Sequence, residues 1–223
     1  MNVGIAGYGV VGKTRHVSIE ANTSFKVTAI SEKNKDACDS ISPEIDLFND
    51  YKTLIADADI DIIFISLPNQ YAAEASYLSL QRGLHVFCEK PPARTHEELL
   101  AVKKQSLESP HLKLMYGFNH RFHLSVEQAK TIIDGNALGR IINMKGVYGK
   151  SQMISFNQTD WRTSRKAAGG GILLDQGIHM LDLLRYLSGE NFTQVFSFID
   201  NAFWNFDVED NAYVLMKSPN GVV

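Results

Sequence analysis

From Met1 to about Asn119, short apolar runs alternate with helix-like stretches, the pattern of a parallel sheet wound with helices. The runs Asn2 to Ala6, Phe25 to Ser31, Asp61 to Leu67, His85 to Cys88 and Lys113 to Gly117, several rich in Val, Ile and Phe, predict strands. Amphipathic segments separate them. Thr95 and Glu98 have the spacing of a capping box, and Leu99, Leu100 and Val102 supply an apolar face, so a helix is expected to about Ser106.

Beyond Arg121 the pattern changes. It predicts one helix over about Ser125 to Asp134, a strand over Arg140 to Tyr148, and then a polar loop rich in Ser, Gln and Asn. Gly169 to Gly171 opens a further helix to about Leu187, and strands follow over Thr193 to Asp200 and Val208 to Lys217. The change places a domain boundary near 120, with domains 1–120 and 121–223. Asn220-Gly221 is a two-residue hairpin signal, because both residues tolerate the positive φ of a type I′ turn. Only Val222 and Val223 follow it, so the expectation is the front part of a longer protein whose second domain is incomplete at its C-terminal end.

Composition narrows the class. With 44% hydrophobic and 21% charged residues among 223, the chain is neither disordered nor a collagen-like fibre. Lys plus Arg number 22 against 25 Asp plus Glu, a net charge of −3 spread along the chain, so nucleic acid is not an expected partner. Cys38 and Cys88 have no CxxC or Cys/His ligand spacing, which argues against a disulfide framework or a metal site and suits a reducing cytoplasm. No basic n-region precedes the apolar start, and no apolar run reaches about 18 residues, so neither a leader nor a spanning helix is expected, and no membrane partner.

Gly7-Tyr8-Gly9-Val10-Val11-Gly12 is GxGxxG between a predicted strand and a predicted helix. The first Gly permits the tight turn, the second removes a Cβ that would block a pyrophosphate, and the third allows close helix-strand packing. A helix N-terminus then turns free N–H groups and a partial positive charge toward the phosphates. Glu32, twenty residues beyond Gly12, can accept hydrogen bonds from ribose hydroxyls, which favours NAD. Lys33 beside it could meet a 2′-phosphate, so NADP stays open.

In open wound sheets ligands bind outside the carboxyl ends of the strands. Ser66-Leu67-Pro68-Asn69 closes one strand and Glu89-Lys90-Pro91-Pro92 the next, which makes Leu67, Pro68, Asn69, Glu89 and Lys90 candidate cofactor contacts. Lys90, backed by stiff prolines, falls at the expected nicotinamide end.

The motifs GYGVVG at 7–12, LPN at 67–69, GLHVFCEKP at 83–91, GFNHRF at 117–122, Trp161-Arg162 and GGGILLDQGIHMLD at 169–182 occur in one order. Together they resemble the glucose-fructose oxidoreductase, inositol dehydrogenase and rhizopine-catabolism (Gfo/Idh/MocA) family of nicotinamide-dependent oxidoreductases, over residues 1 to about 215. The resemblance implies an α/β fold: a Rossmann doubly wound parallel sheet, then an α+β domain with a predominantly antiparallel open sheet that lines the substrate site and commonly forms subunit contacts, hence a homo-oligomer. It also implies catalytic positions at Lys90, Asp175 and His179. Members usually run well past 300 residues. The His that often lies three residues after the family's Asn is Ala72 here, and Ser66 with Leu67 replaces the usual approach to that motif.

The chemistry of these residues agrees. Asp175 and His179 are four apart on a predicted helix, so they share a face. Oxidising a secondary alcohol needs a base for the hydroxyl proton, and His has a suitable ordinary pKa. Lys90 can hold charge beside a developing alkoxide, and Asp175 can bind a neighbouring hydroxyl or orient the base. Asp182 has Arg185 three residues on, an ordinary helix-surface ion pair. Asn119 and Arg121 are candidate substrate contacts, as is Trp161-Arg162, an aromatic face and a forked donor that suit a sugar ring or a phosphate. The remaining histidines have no partner spacing, and Cys88 is expected to be a small buried hydrophobe.

The function expected is hydride transfer between NAD(P) and a secondary hydroxyl of a sugar, cyclic polyol or sugar nucleotide. The alternatives are a non-catalytic sugar sensor that keeps the dinucleotide site, a glycosidase that oxidises its substrate transiently, and a chain that only binds NAD.

Overall fold

The computed structural model describes residues 1–39, 41–149 and 161–223. The polar loop expected after Tyr148 falls mainly outside them. The chain divides into two units, Met1–Gly117 and Phe118–Val223.

In the first unit, β1 (Asn2–Ala6), β2 (Lys26–Ser31), β3 (Asp46–Phe48), β4 (Ile62–Ile65), β5 (His85–Cys88) and β6 (Leu114–Tyr116) form one sheet in the order β3-β2-β1-β4-β5-β6. Every pairing is parallel. This is the order of a dinucleotide-binding sheet, with its topological switch between β1 and β4. β1 is buried from Val3 to Ala6 without alternation, as a strand covered by helices on both faces must be. α1 (Val10–Glu20) covers one face over Val3, Ile5, Val27 and Ile30. α2 (Tyr51–Asp57), α3 (Asn69–Arg82) and α4 (His96–Glu108) belong to the other, with Leu54, Ile63, Ile65, Leu80, Val86 and Val102 at its centre.

The expected strands fall within a residue or two of these bounds. β3 was not foreseen: three residues are too few to show a period of two, and only its pairing with Ala29–Ser31 makes it a strand. The capping box at α4 forms, with the Thr95 hydroxyl accepting from the Glu98 N–H at 3.3 Å, a contact of a type worth about 1 kcal/mol.

The second unit contains α5 (Leu124–Asp134), the short α6 (Arg165–Ala168), α7 (Ile178–Ser188) and a two-stranded antiparallel sheet of β7 (Gln194–Asp200) and β8 (Asn211–Lys217). Two expectations are corrected here. Among the described residues, 140–148 form no strand, and the ladder-like bonds there are Met144 N–H to Val223 O at 2.8 Å and Val223 N–H to Ile142 O at 3.2 Å. A strand is made by its pairing, and among the described residues this segment pairs with two residues at most.

The helix expected after Gly169–Gly171 forms, beginning as a π-helical turn over Leu173–Gly177 that runs into α7. The turn at Asn220-Gly221 is not type I′. Pro219, whose ring forbids positive φ, is a central residue of a turn closed by Gly221 N–H to Ser218 O at 3.1 Å, and of Asn220 and Gly221 only the glycine has positive φ, +88°.

Candidate functional site

The glycine loop behaves as its spacing requires. Gly7 has φ +88°, and a Cβ there would lie 2.6 Å from the Ser66 carbonyl oxygen. A Cβ on Gly12 would lie 2.1 Å from the Gly7 carbonyl oxygen, so this glycine lets α1 close onto the loop. Gly9 differs from both: nothing lies within 4 Å of its Cβ position. It is the N-cap of α1 and makes no side-chain capping bond, and the first turn of α1 has no acidic residue. The helix therefore presents N–H groups and positive dipole to open space, which is the chemistry a pyrophosphate needs. The residues fit a dinucleotide.

Glu32 lies just past β2 and is committed to the backbone. Its carboxylate accepts from the N–H of Tyr8 at 2.7 Å, of Lys33 at 2.8 Å and of Asn34 at 2.9 Å. The bond to Tyr8 ties the glycine loop to the end of β2. A carboxylate has about four lone-pair sites, so one direction remains for a ribose hydroxyl. The Lys33 ammonium sits over the Tyr71 ring, 5.7 Å from its centroid.

Pro68 is the N-cap of α3, and Asn69, its first residue, is buried. Glu89 follows β5 and accepts from Arg15 Nε of α1 at 2.6 Å, while the Arg15 guanidinium lies over the Phe87 ring at 5.0 Å. This clamp between α1 and the end of β5 was not legible in sequence, since 74 residues separate its partners. Lys90 follows it, half-buried, at the carboxyl end of β5. Cys88 is fully buried, and burial pushes its thiol up to about 12, so it packs as an apolar side chain.

In the second unit the glycine stretch anchors a helix. A Cβ on Gly171 would lie 1.9 Å from the Glu209 carbonyl oxygen. Gly171 N–H donates to Glu209 Oε1 at 2.8 Å, and Ile172 N–H donates to Glu209 O at 2.9 Å. From this anchor the π-helical turn carries Asp175, and α7 carries His179 one turn later. Such turns recur at functional sites. Asp175 Oδ2 accepts from Gln176 Nε2 at 2.9 Å, and His179 is 5% exposed.

The His179 ring is held by aromatics. His120 stacks on it with centroids 4.0 Å apart and planes 15° apart, Tyr148 lies near-parallel beside both at 5.6 Å from His120 and 6.1 Å from His179, and Phe118 meets His179 edge-on at 6.3 Å. His120 carried no signal in sequence, where nothing links it to a residue 59 positions away.

Arg121, expected at a substrate, is engaged within the protein: it forms a forked ion pair with Asp182, with Nε to Oδ2 at 2.7 Å. That pair also corrects the partner expected for Asp182. Its carboxylate is buried, facing away from a surface pair, and Arg185 instead donates to Asn191. Asn119 is exposed on the 3₁₀ turn Asn119–Phe122. Arg162 lies over the ring of Trp161, 4.4 Å from its centroid, within another 3₁₀ turn.

Comparison with known proteins follows the same division. Residues 1–118 match the model of the GFO/IDH/MocA oxidoreductase family, NAD-binding Rossmann fold, and residues 126–223 match the GFO/IDH/MocA C-terminal domain. The chain is 32% identical over 202 residues to levoglucosan dehydrogenase of Pseudarthrobacter phenanthrenivorans, covering 85% of this chain and 52% of that protein. It is 27% identical over 195 residues to D-glucoside 3-dehydrogenase of Escherichia coli, covering 85% and 54%. The chain thus spans about half the length of these curated relatives. A solved levoglucosan dehydrogenase in complex with NADH and levoglucosan superposes with a TM-score of 0.90 at 29% identity, over 100% of this chain and 65% of that one. With a strand-order, glycine loop and helix anchor that its sequence motifs anticipate, and with both units matched, the chain belongs to the GFO/IDH/MocA oxidoreductase family.

Proposed function

We propose that the protein is a nicotinamide-dependent oxidoreductase that moves a hydride between NAD and a secondary hydroxyl of a sugar, cyclic polyol or sugar nucleotide. Residues 1–120 serve as the cofactor domain and 121–223 as the domain for substrate and for contacts between copies. The observation that carries the reading is the pairing of Asp175 with His179 on one anchored helix, in a chain that also holds an open, N–H-lined glycine cradle.

A nicotinamide bound at the cradle supplies the site that accepts the hydride. His179 takes the hydroxyl proton on an imidazole nitrogen, and its burial among aromatic rings keeps competing water away. Lys90 holds positive charge beside the developing alkoxide, and Asp175 accepts a hydrogen bond from a neighbouring hydroxyl. Gly7, Gly9 and Gly12 with Tyr8, Val10 and Val11 hold the pyrophosphate. Leu67, Pro68, Asn69 and Glu89 line the cofactor's path, and Asn119, Trp161 and Arg162 flank the substrate. The Glu32 carboxylate at the end of β2 favours NAD, since its charge repels a 2′-phosphate. The levoglucosan and D-glucoside relatives support a carbohydrate hydroxyl as the reacting group.

Phe196, Phe198, Tyr213 and Leu215 are exposed on one face of the β7–β8 sheet, which supports a homo-oligomer. Two free cysteines suit a reducing cytoplasm, and no helix among the described residues is long and apolar enough to cross a membrane.

The test is fluorescence binding of NADH and NADPH to the purified chain, then absorbance of reduced nicotinamide with a panel of polyols, aldoses and sugar nucleotides. NADH binding tighter than NADPH and a rise with a carbohydrate are expected. Tight binding without turnover of any compound refutes the dehydrogenase, and release of a sugar without net NADH points to transient oxidation. Lys90→Ala should abolish turnover while NADH binding stays within about threefold, because its role lies in the transition state.

A further inference from the structure

The His120–His179 stack has a consequence for the proton chemistry of the site, and it rests on the reading of His179 as the base. Two imidazoles 4.0 Å apart with planes 15° apart bring any two positive charges on them face to face. We infer that His120 is a positioning residue for His179: it fixes the plane of the ring and, by taking the pair's first proton, keeps His179 neutral and able to accept one from substrate.

The partition follows from hydration. His179 is 5% exposed and His120 is only half-buried, so a charge costs less on His120. Once His120 is charged, a second proton on His179 must overcome a like charge at contact distance. For effective dielectric constants between that of water and about 20, this displaces its titration downward by roughly one to three pH units.

Among the described residues, several charged and titratable groups lie near the pair. On the helix of His179, Asp175 favours charge on His179 but shares its carboxylate with Gln176, and Asp182 is committed to Arg121. On the turn that carries His120, the Arg121 guanidinium opposes a second positive charge, and His123 meets His120 edge-on at 5.4 Å. The Tyr148 ring lies near-parallel beside the pair, 5.6 Å from His120 and 6.1 Å from His179. On α5, Lys130 pairs with Asp134 and Glu127 is exposed.

The experiment is an NMR titration of the chain labelled at histidine Cε1, with resonances assigned from single His→Gln variants. In the wild-type protein the His179 resonance is expected to show two inflections, one shared with His120 and its main step below that of His120. In His120→Phe, which keeps an aromatic plane and removes the titrating group, His179 should titrate in one step shifted up by about one unit or more. The acid limb of kcat/KM should move up with it. A single-step wild-type curve overturns the inference without any variant, and so does an unmoved His179 midpoint in a folded His120→Phe protein. Turnover by His179→Ala would instead refute the proposed base, an outcome the NMR titration does not depend on.

Discussion

Gly9 and Gly12 are glycines for different reasons, and alanine at each separates the reasons. At Gly12 the new methyl would sit 2.1 Å from the Gly7 carbonyl oxygen, against about 3.4 Å for ordinary contact, so α1 and the loop must part by about an ångström. The obstacle is backbone and cannot rotate away. Overpacking of this kind costs about 1–3 kcal/mol, which lowers Tm by roughly 2–12 °C at 2–4 °C per kcal/mol. At Gly9 the methyl meets nothing within 4 Å, and the backbone at φ −70°, ψ −164° is open to alanine. Stability should hold or rise by up to about 1 kcal/mol, through the reduced freedom of the unfolded chain.

The same methyl occupies the space in front of the α1 N-terminus, where the phosphates must come. Loss of one charge-assisted N–H bond costs about 1.5–3 kcal/mol, so NADH binding should weaken about 10-fold to 150-fold. Thermal unfolding without ligand and fluorescence titration with NADH read the two quantities separately. The expected result is a Gly9→Ala chain that is fully stable and binds poorly, and a Gly12→Ala chain impaired in both. Equal loss of stability in the two variants, or NADH binding by Gly9→Ala within twofold of wild type, would show that the cradle argument is wrong.

Gly171→Ala places a methyl 1.9 Å from the Glu209 carbonyl oxygen, and should cost at least about 2 kcal/mol in urea unfolding while lowering turnover through the displaced Asp175 and His179; an unchanged urea midpoint would remove the anchor from the account. Arg121→Met leaves the buried Asp182 carboxylate without its partner and should destabilise by about 3 kcal/mol, whereas Arg121→Met with Asp182→Leu should recover most of that; a double variant no better than the single would argue against the pair. Glu74 is held below its ordinary pKa by the Lys52 and Tyr51 hydrogen bonds that join α2 to α3. A depressed carboxyl stabilises above its unfolded pKa, and the contribution is lost as pH falls through the folded value. The wild-type advantage over Glu74→Gln in urea midpoint should therefore be full at pH 6 and shrink below about pH 4, and a difference independent of pH from 6 to 3 would contradict the assignment.

Much of the first unit is local in origin, and that is why its sequence discloses it. Each of the five strands foreseen is a contiguous apolar run, the capping box at Thr95 spans four residues, and GxGxxG works through the conformation of its own backbone. The positions of Glu32, Asn69 and Lys90 follow from the rule that ligands meet the carboxyl ends of parallel strands. Asp175 and His179 share a face because four residues make about one helical turn, and the π-helical start of their helix leaves that true.

What tertiary structure alone decided has one physical character: a group finds a partner far away in sequence. Glu32 reaches back to Tyr8, Arg15 to Glu89, Arg121 to Asp182, and Glu209 closes on Gly171. Residues 140–148 read as a strand in sequence yet meet no long edge among the described residues, while three residues at Asp46–Phe48 become a strand because β2 offers one. His120 shows the limit most clearly. Its ring acquires a role only when two segments 59 residues apart pack together, because the energy of a face-to-face pair depends on distance in space and leaves no period along the chain.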